Sequence, residues 1–288
     1  MITDAQVHLY EVDTPERPWP RDADRVGAPA KHAASFTAEE MIGSMDAIGV
    51  DRAVVVPPVW AGEDNGYALS AATRYEGRFA VMGRLDPYAP DSPERLEHWL
   101  EHPHMRGIRM SGRWYTTPTG VDAALGDPQL EWYWAACERL GIPIALLTRR
   151  FSTDVARIAE RHPDLALLID HLGTGDSRLA TERFAALDDL IALARFPGVY
   201  VKLGTAPARS DQAFPFADVD PHLRRVHEAF GAQRMLWEAD ITQLTKNNTY
   251  AECLRLWQEG LPFLSGDDRD WILGRTAAEV LRWPESTA

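Results

Sequence analysis

Short apolar, often β-branched runs alternate along this chain with longer segments of helical spacing. The runs fall at 3–9, 52–56, 79–84, 107–110, 143–147, 166–170, 199–203 and 234–237, eight in all. Between most of them apolar residues recur every three or four positions, as at 37–48, 93–101, 128–140, 152–161, 180–194 and 221–230. Entry signals sharpen several of these segments. Thr37 followed by Glu40 has the form of a capping box, and Pro93, Pro128 and Pro221 suit a first helical turn. Two closing helices are expected at 248–258 and 267–282.

Strand and helix in strict alternation predict a parallel sheet with helices outside it. Eight such units in 288 residues favour an α/β fold closed as a single (β/α)8 TIM barrel, with a C-terminal closing helix, over an open doubly wound sheet. One domain over 1–288 is expected. No GxGxxG or GxxxxGK[ST] follows any strand, so nothing here cradles a phosphate. The long segments 10–35, 63–66, 111–127 and 206–219 would then rim the C-terminal mouth and shape a substrate pocket, with Trp114, Tyr115, Phe214 and Phe216 among their aromatic residues.

Composition narrows the partners. A net charge of −13 repels phosphate backbones and anionic lipid, which leaves a small molecule as the expected partner rather than nucleic acid or membrane. Cys137 and Cys253 form no CxxC and read as buried free thiols; with no apolar leader at the N-terminus, a cytoplasmic location is the expectation. Barrels of this size often associate, so a homo-oligomer is among the expected states.

Chemistry concentrates at three strand ends. The first run reads Asp4-Ala5-Gln6-Val7-His8, and alternation predicts that Asp4, Gln6 and His8 share the inner face. The sixth closes on Asp170-His171-Leu172-Gly173, presenting an imidazole at the barrel mouth as ligand, proton shuttle or electrophile. The eighth ends Glu238-Ala239-Asp240, a carboxylate placed to act as general base or ligand. Arg84, Arg109, Arg149 and Lys202 aim at the same face, where they either hold a substrate carboxylate or pair with Asp4, Asp86 or Glu238.

Taken together, Asp-x-x-x-His, Asp-His-Leu-Gly and Ala-Asp at the first, sixth and eighth strands resemble the amidohydrolase superfamily, in its branch of TIM-barrel metal-dependent hydrolases that includes lactonases. The resemblance spans the chain and includes Phe79-Ala-Val-Met-Gly-Arg-Leu-Asp-Pro87, Arg106-Gly-Ile-Arg109, Val199-Tyr-Val-Lys-Leu203 and the closing Trp271-Ile-Leu-Gly-Arg-Thr-Ala-Ala278. It implies a hydrolase that opens a lactone or related cyclic ester or amide bearing a carboxylate. Asp240 and His171 would be catalytic, and Gln6, Arg109, Arg84, Lys202 and Trp114 would contact substrate. His8, His171 and Asp240 would be the ligands if one divalent metal such as zinc is held. The alternatives are a non-oxidative decarboxylase of a carboxylated aromatic and a non-catalytic ligand-binding barrel. The sequence departs from the family where His-x-His becomes Gln6-x-His8, where the fifth strand ends in Ala145-Leu146-Leu147-Thr148 without His, and at Met110-Ser111 in place of a bridging residue. A carboxamide is a poor zinc ligand, so a two-metal site is not expected and metal-free chemistry stays open. Glu238, where relatives often have a small residue, has no account from sequence.

Overall fold

A computed structural model describes residues 1–19, 35–111, 125–147, 152–173, 184–185, 187–204, 206–244 and 248–283. Eight parallel strands lie in the order of the chain: β1 (Thr3–Val7), β2 (Arg52–Val55), β3 (Phe79–Gly83), β4 (Met105–Ser111), β5 (Ile144–Leu147), β6 (Leu167–Ile169), β7 (Val199–Lys202) and β8 (Met235–Leu236). Ala5 N donates to Trp237 O at 2.9 Å, which brings the first strand to the end of the last and makes the sheet a barrel. Each expected strand is found within a few residues of its predicted ends.

The helices follow their local signals. At α1 (Ala38–Ile48), Thr37 accepts from Glu40 N and Glu40 accepts from Thr37 N, so the capping box forms, and Gly49 ends the helix at φ 76°. The chain also forms α2 (Gly66–Arg74), which the spacing did not suggest. Its buried face is only Ala68, Ala71 and Ala72, too small to mark an apolar stripe. Further helices are α3 (Ser92–Glu97), α4 (Glu131–Leu140), α5 (Ser152–Arg161), α6 (Leu187–Ala192), α7 (Asp220–Phe230), α8 (Tyr250–Arg255), α9 (Gly266–Asp270) and α10 (Thr276–Val280). None of the described helices is long and apolar enough to cross a membrane.

Alternation along each strand splits the core in two. One set, including Val55, Val81, Ile144, Leu167 and Val201, packs outward under the helices. The other, including Ala5, Val54, Ala80, Ala145, Leu168 and Leu236, fills the barrel. Ala277, Leu281 and Trp283 join the inner set, and Thr276 Oγ1 donates to Ala232 O just ahead of β8. The expected closing helix therefore plugs the N-terminal end, leaving the other end for chemistry.

One expectation about β1 is corrected. Its partners run Thr3 to Arg52 and Asp4 to Ala53, but then Val7 to Val55, so β1 carries one extra residue. The bulge breaks the alternation. Asp4 faces outward, accepting from Ala239 N, Gln6 N and Tyr250 Oη of α8, while Gln6 and His8 face the barrel.

Candidate active site

Above the apolar filling, the inward positions become charged. Gln6, Arg109, Asp170, Lys202 and Glu238 are each at most 2% exposed, a layer that is costly unless every charge is paired. It is paired. Lys202 Nζ donates to Asp170 Oδ1 at 2.9 Å and to Gln6 Oε1, and lies 3.1 Å from Glu238 Oε2. Arg109 Nε donates to the other Asp170 oxygen at 3.0 Å. Burial opposes the ionised form of Asp170, but Lys202 and Arg109 outweigh it and hold the carboxyl below its usual range. Lys202, expected to contact substrate, is thus wholly buried with its ammonium among three protein oxygens, two of them hydrogen-bonded.

Glu238 gains the account that sequence could not give. Its Oε1 accepts from His171 Nδ1 at 2.7 Å, from His171 N at 3.2 Å and from Gly204 N at 3.1 Å. A Cβ at Gly204 would come within 2.2 Å of Glu238 Cγ, so only glycine allows this approach. Burial opposes charge on His171, yet Glu238, then Asp240 and Asp170, outweigh it and raise the imidazole above its ordinary value. Glu238 itself is held below the usual carboxylate range by His171 and Lys202 against the burial penalty.

The expected trio meets at the mouth. His8 Nε2 lies 3.6 Å from Asp240 Oδ1 and His171 Nε2 lies 3.6 Å from Asp240 Oδ2, one imidazole on each carboxylate oxygen. His8 Nδ1 is fixed by Val56 O at 2.7 Å, so Nδ1 carries the hydrogen and Nε2 faces the carboxylate. Burial, aided by Arg109, lowers the His8 pKa in spite of Asp240. The presentation is strained: His171 (φ 53°), Leu172 (φ 59°) and Asp240 (φ 46°) are all left-handed without being glycine. Each such residue costs on the order of 1 kcal/mol, held by the network beneath. Arg209, which sequence did not single out, steadies the turn by donating from Nη2 to His171 O at 3.3 Å. Asp170 was visible only as the neighbour of His171, though alternation from Leu168 would have placed it inside.

Would these donors hold a metal? Two imidazoles and a carboxylate are an appropriate donor set for zinc, and 3.6 Å is close to the edge of a tetrahedral site, about 3.3 Å for ligands at 2.0–2.1 Å. One observation counts against it. Gln6 Nε2 lies 3.1 Å from His171 Nε2, and because Lys202 holds the amide oxygen, the NH2 end must face the imidazole. In the neutral ring that N–H takes the lone pair a metal would need, and in the charged ring a proton does. The arrangement does not fit the expected ligand set of His8, His171 and Asp240.

The other expected contacts divide. Arg109 Nη1 and Ser111 Oγ, both buried on the inner face of β4, have no hydrogen-bond partner among the described residues. Arg84 is 2% exposed, donates from Nε to Gly62 O at 2.8 Å, and exchanges backbone bonds with the Asn65 side chain, tying β3 to the loop before α2. Phe216 is part of the outer core, and Phe214 packs beside it under Arg255. Trp114, Tyr115 and Arg149 lie outside the described residues.

Comparison with known proteins adds to this geometry. The amidohydrolase family model matches residues 3–283. An L-fucono-1,5-lactonase of Burkholderia ambifaria is 27% identical over 285 residues, 97% of this chain and 94% of the relative. A 4-sulfomuconolactone hydrolase of Hydrogenophaga intermedia is 28% identical over 204 residues, 70% of this chain and 64% of the relative. Among solved structures, a zinc-bound amidohydrolase of Burkholderia multivorans superposes with a TM-score of 0.78 at 22% identity, covering 99% of this chain and 100% of its own.

Proposed function

The chain belongs to the amidohydrolase family and is a hydrolase, and from that premise we propose that it opens a lactone, or a related cyclic ester or amide, bearing a carboxylate. One observation carries this reading: Asp240 holds an imidazole Nε2 at 3.6 Å on each of its oxygens, too far for a direct hydrogen bond and enough for a reacting atom between. Asp240 takes the proton of a water whose oxygen attacks the carbonyl carbon. His171, in the charged form that Glu238 favours by accepting from Nδ1–H, presents Nε2–H to the carbonyl oxygen. In that state His171 and the Gln6 amide both offer protons to the same place, 3.1 Å apart, and the developing oxyanion satisfies both. As the ring C–O bond breaks, Asp240 returns its proton to the leaving oxygen. Arg109 orients the substrate carboxylate through Nη1. No step here passes through a metal.

The lactonase names of the two sequence relatives support the substrate class. The test is a panel of γ- and δ-lactones with and without a carboxylate, run with and without chelator on wild type and Asp240→Asn, with metal analysis of the purified protein. Hydrolysis that survives chelation and is lost in Asp240→Asn supports the reading. Activity that disappears with chelator and returns with zinc replaces it with a metal-dependent one. Release of CO2 from aromatic carboxylates without lactone turnover would favour a decarboxylase, and binding without turnover a non-catalytic barrel.

A further inference from the structure

A cavity of about 330 Å³ is walled by the segments that follow β1 and β2. It adjoins the site through the chain itself. Leu9 follows His8, and Pro57 follows Val56, whose carbonyl fixes the His8 ring. Its aromatic wall is Tyr10, Trp19 and Trp60. Trp60 meets Tyr10 edge-on at 5.4 Å and Trp19 at 4.6 Å, tilted by 51°. Backbone bonds in both directions between Tyr10 and Phe36 pin the wall in place.

Several polar groups of the lining are already engaged. Arg17 pairs with Glu11, Trp19 Nε1 donates to Glu11 O at 3.1 Å, Asp64 accepts from Gly66 N at 2.8 Å, and the Tyr67 hydroxyl accepts from Ala38 N at 3.1 Å. What the cavity offers a ring is therefore the flat apolar surface of Tyr10, Trp19 and Trp60, with the Arg17 charge balanced by Glu11 and the Asp64 carboxylate exposed. A void of about 150 Å³ lined by apolar side chains is enough to take a benzene ring. This one is about twice that, and rings stack well on indole faces.

We propose that this cavity is the specificity subsite of the enzyme, and that it takes an uncharged aryl or fused-ring substituent of the substrate while the scissile carbonyl sits at His171 and Asp240. The inference rests on the hydrolase reading above, and the subsite has its own readout. Kinetics would compare a γ-lactone carrying a naphthyl substituent with its methyl counterpart, in wild type, Trp60→Ala and Trp19→Ala. Separately, 2-naphthalenemethanol would be titrated against wild type and variants by isothermal calorimetry. The expected result is a kcat/KM ratio of aryl to methyl lactone of at least about tenfold in wild type, falling towards unity in both variants, with alcohol binding that weakens in parallel. Trp19 is the less buried ring, so Trp19→Ala keeps the test open if Trp60→Ala fails to fold. Lactone turnover with no aryl preference, or a preference unmoved by both substitutions, overturns the subsite and leaves the hydrolase reading intact. Alcohol binding that is lost in the variants without turnover of any lactone supports the subsite and overturns the hydrolase reading. Absence of both overturns both.

Discussion

Lys202→Met is the sharpest perturbation of the layer beneath the site. In the native barrel Asp170 and Glu238 are balanced by Lys202 and Arg109, with Lys202 Nζ 2.9 Å from one carboxylate and 3.1 Å from the other. At an effective dielectric of about 20, each contact is worth about 5 kcal/mol of attraction. The desolvation of the ammonium cancels several kcal/mol of that sum, so replacing it with a methionine of similar length has a net cost of about 3–5 kcal/mol. Gln6 Oε1 also loses its donor. Its amide is then free to turn, so lactone turnover should fall as well. Urea unfolding at neutral pH, followed by circular dichroism, reads the stability term. The double variant Lys202→Met with Glu238→Gln removes one of the two stranded carboxylates and should recover about 1–2 kcal/mol relative to Lys202→Met alone. A single variant within about 1 kcal/mol of wild type, or a double variant whose losses simply add, would refute the balanced-layer argument.

Further outcomes follow from the same geometry. Glu238→Gln removes the charge that supports His171, so kcat should drop about 10²–10⁴-fold. Because the native pKa of His171 is raised, activity dependent on its charged form is lost as pH climbs through that value; in Glu238→Gln the alkaline limb of the kcat profile should move to lower pH. Asp240→Asn should abolish turnover while leaving the unfolding transition near wild type, and chelator should not alter wild-type kcat. Asp4 is pushed by burial from 3.8 up to about 7. A carboxyl whose folded pKa is raised binds its proton more tightly in the native state, so its contribution is fullest below about pH 4 and is lost as pH rises towards 7. The slope is about 1.4 kcal/mol per pH unit across that window. Urea unfolding of Asp4→Asn between pH 4 and 7 should lack that slope, and a slope equal to that of wild type would show that Asp4 is ionised throughout.

The alternation of apolar runs and helical spacing determined the barrel, because strand and helix periods are local properties and eight of each leave few ways to close a core. It also marked the candidate site, since Asp170-His171 and Glu238-Ala239-Asp240 sit where runs end, and strand ends converge on one mouth in this architecture. The inner face of β1 was decided elsewhere. One extra residue between Asp4 and Val7 turns Asp4 outward to Tyr250, and a bulge is set by pairing with β2, which no local pattern records. The roles of Glu238, Lys202 and Gln6 were likewise tertiary. Each is an unremarkable inward polar residue until β1, β6, β7 and β8 bring them within hydrogen-bonding distance, some as many as 196 positions apart in the chain. Only that convergence fixes which end of the Gln6 amide faces His171, and so what the imidazole at the mouth is able to bind.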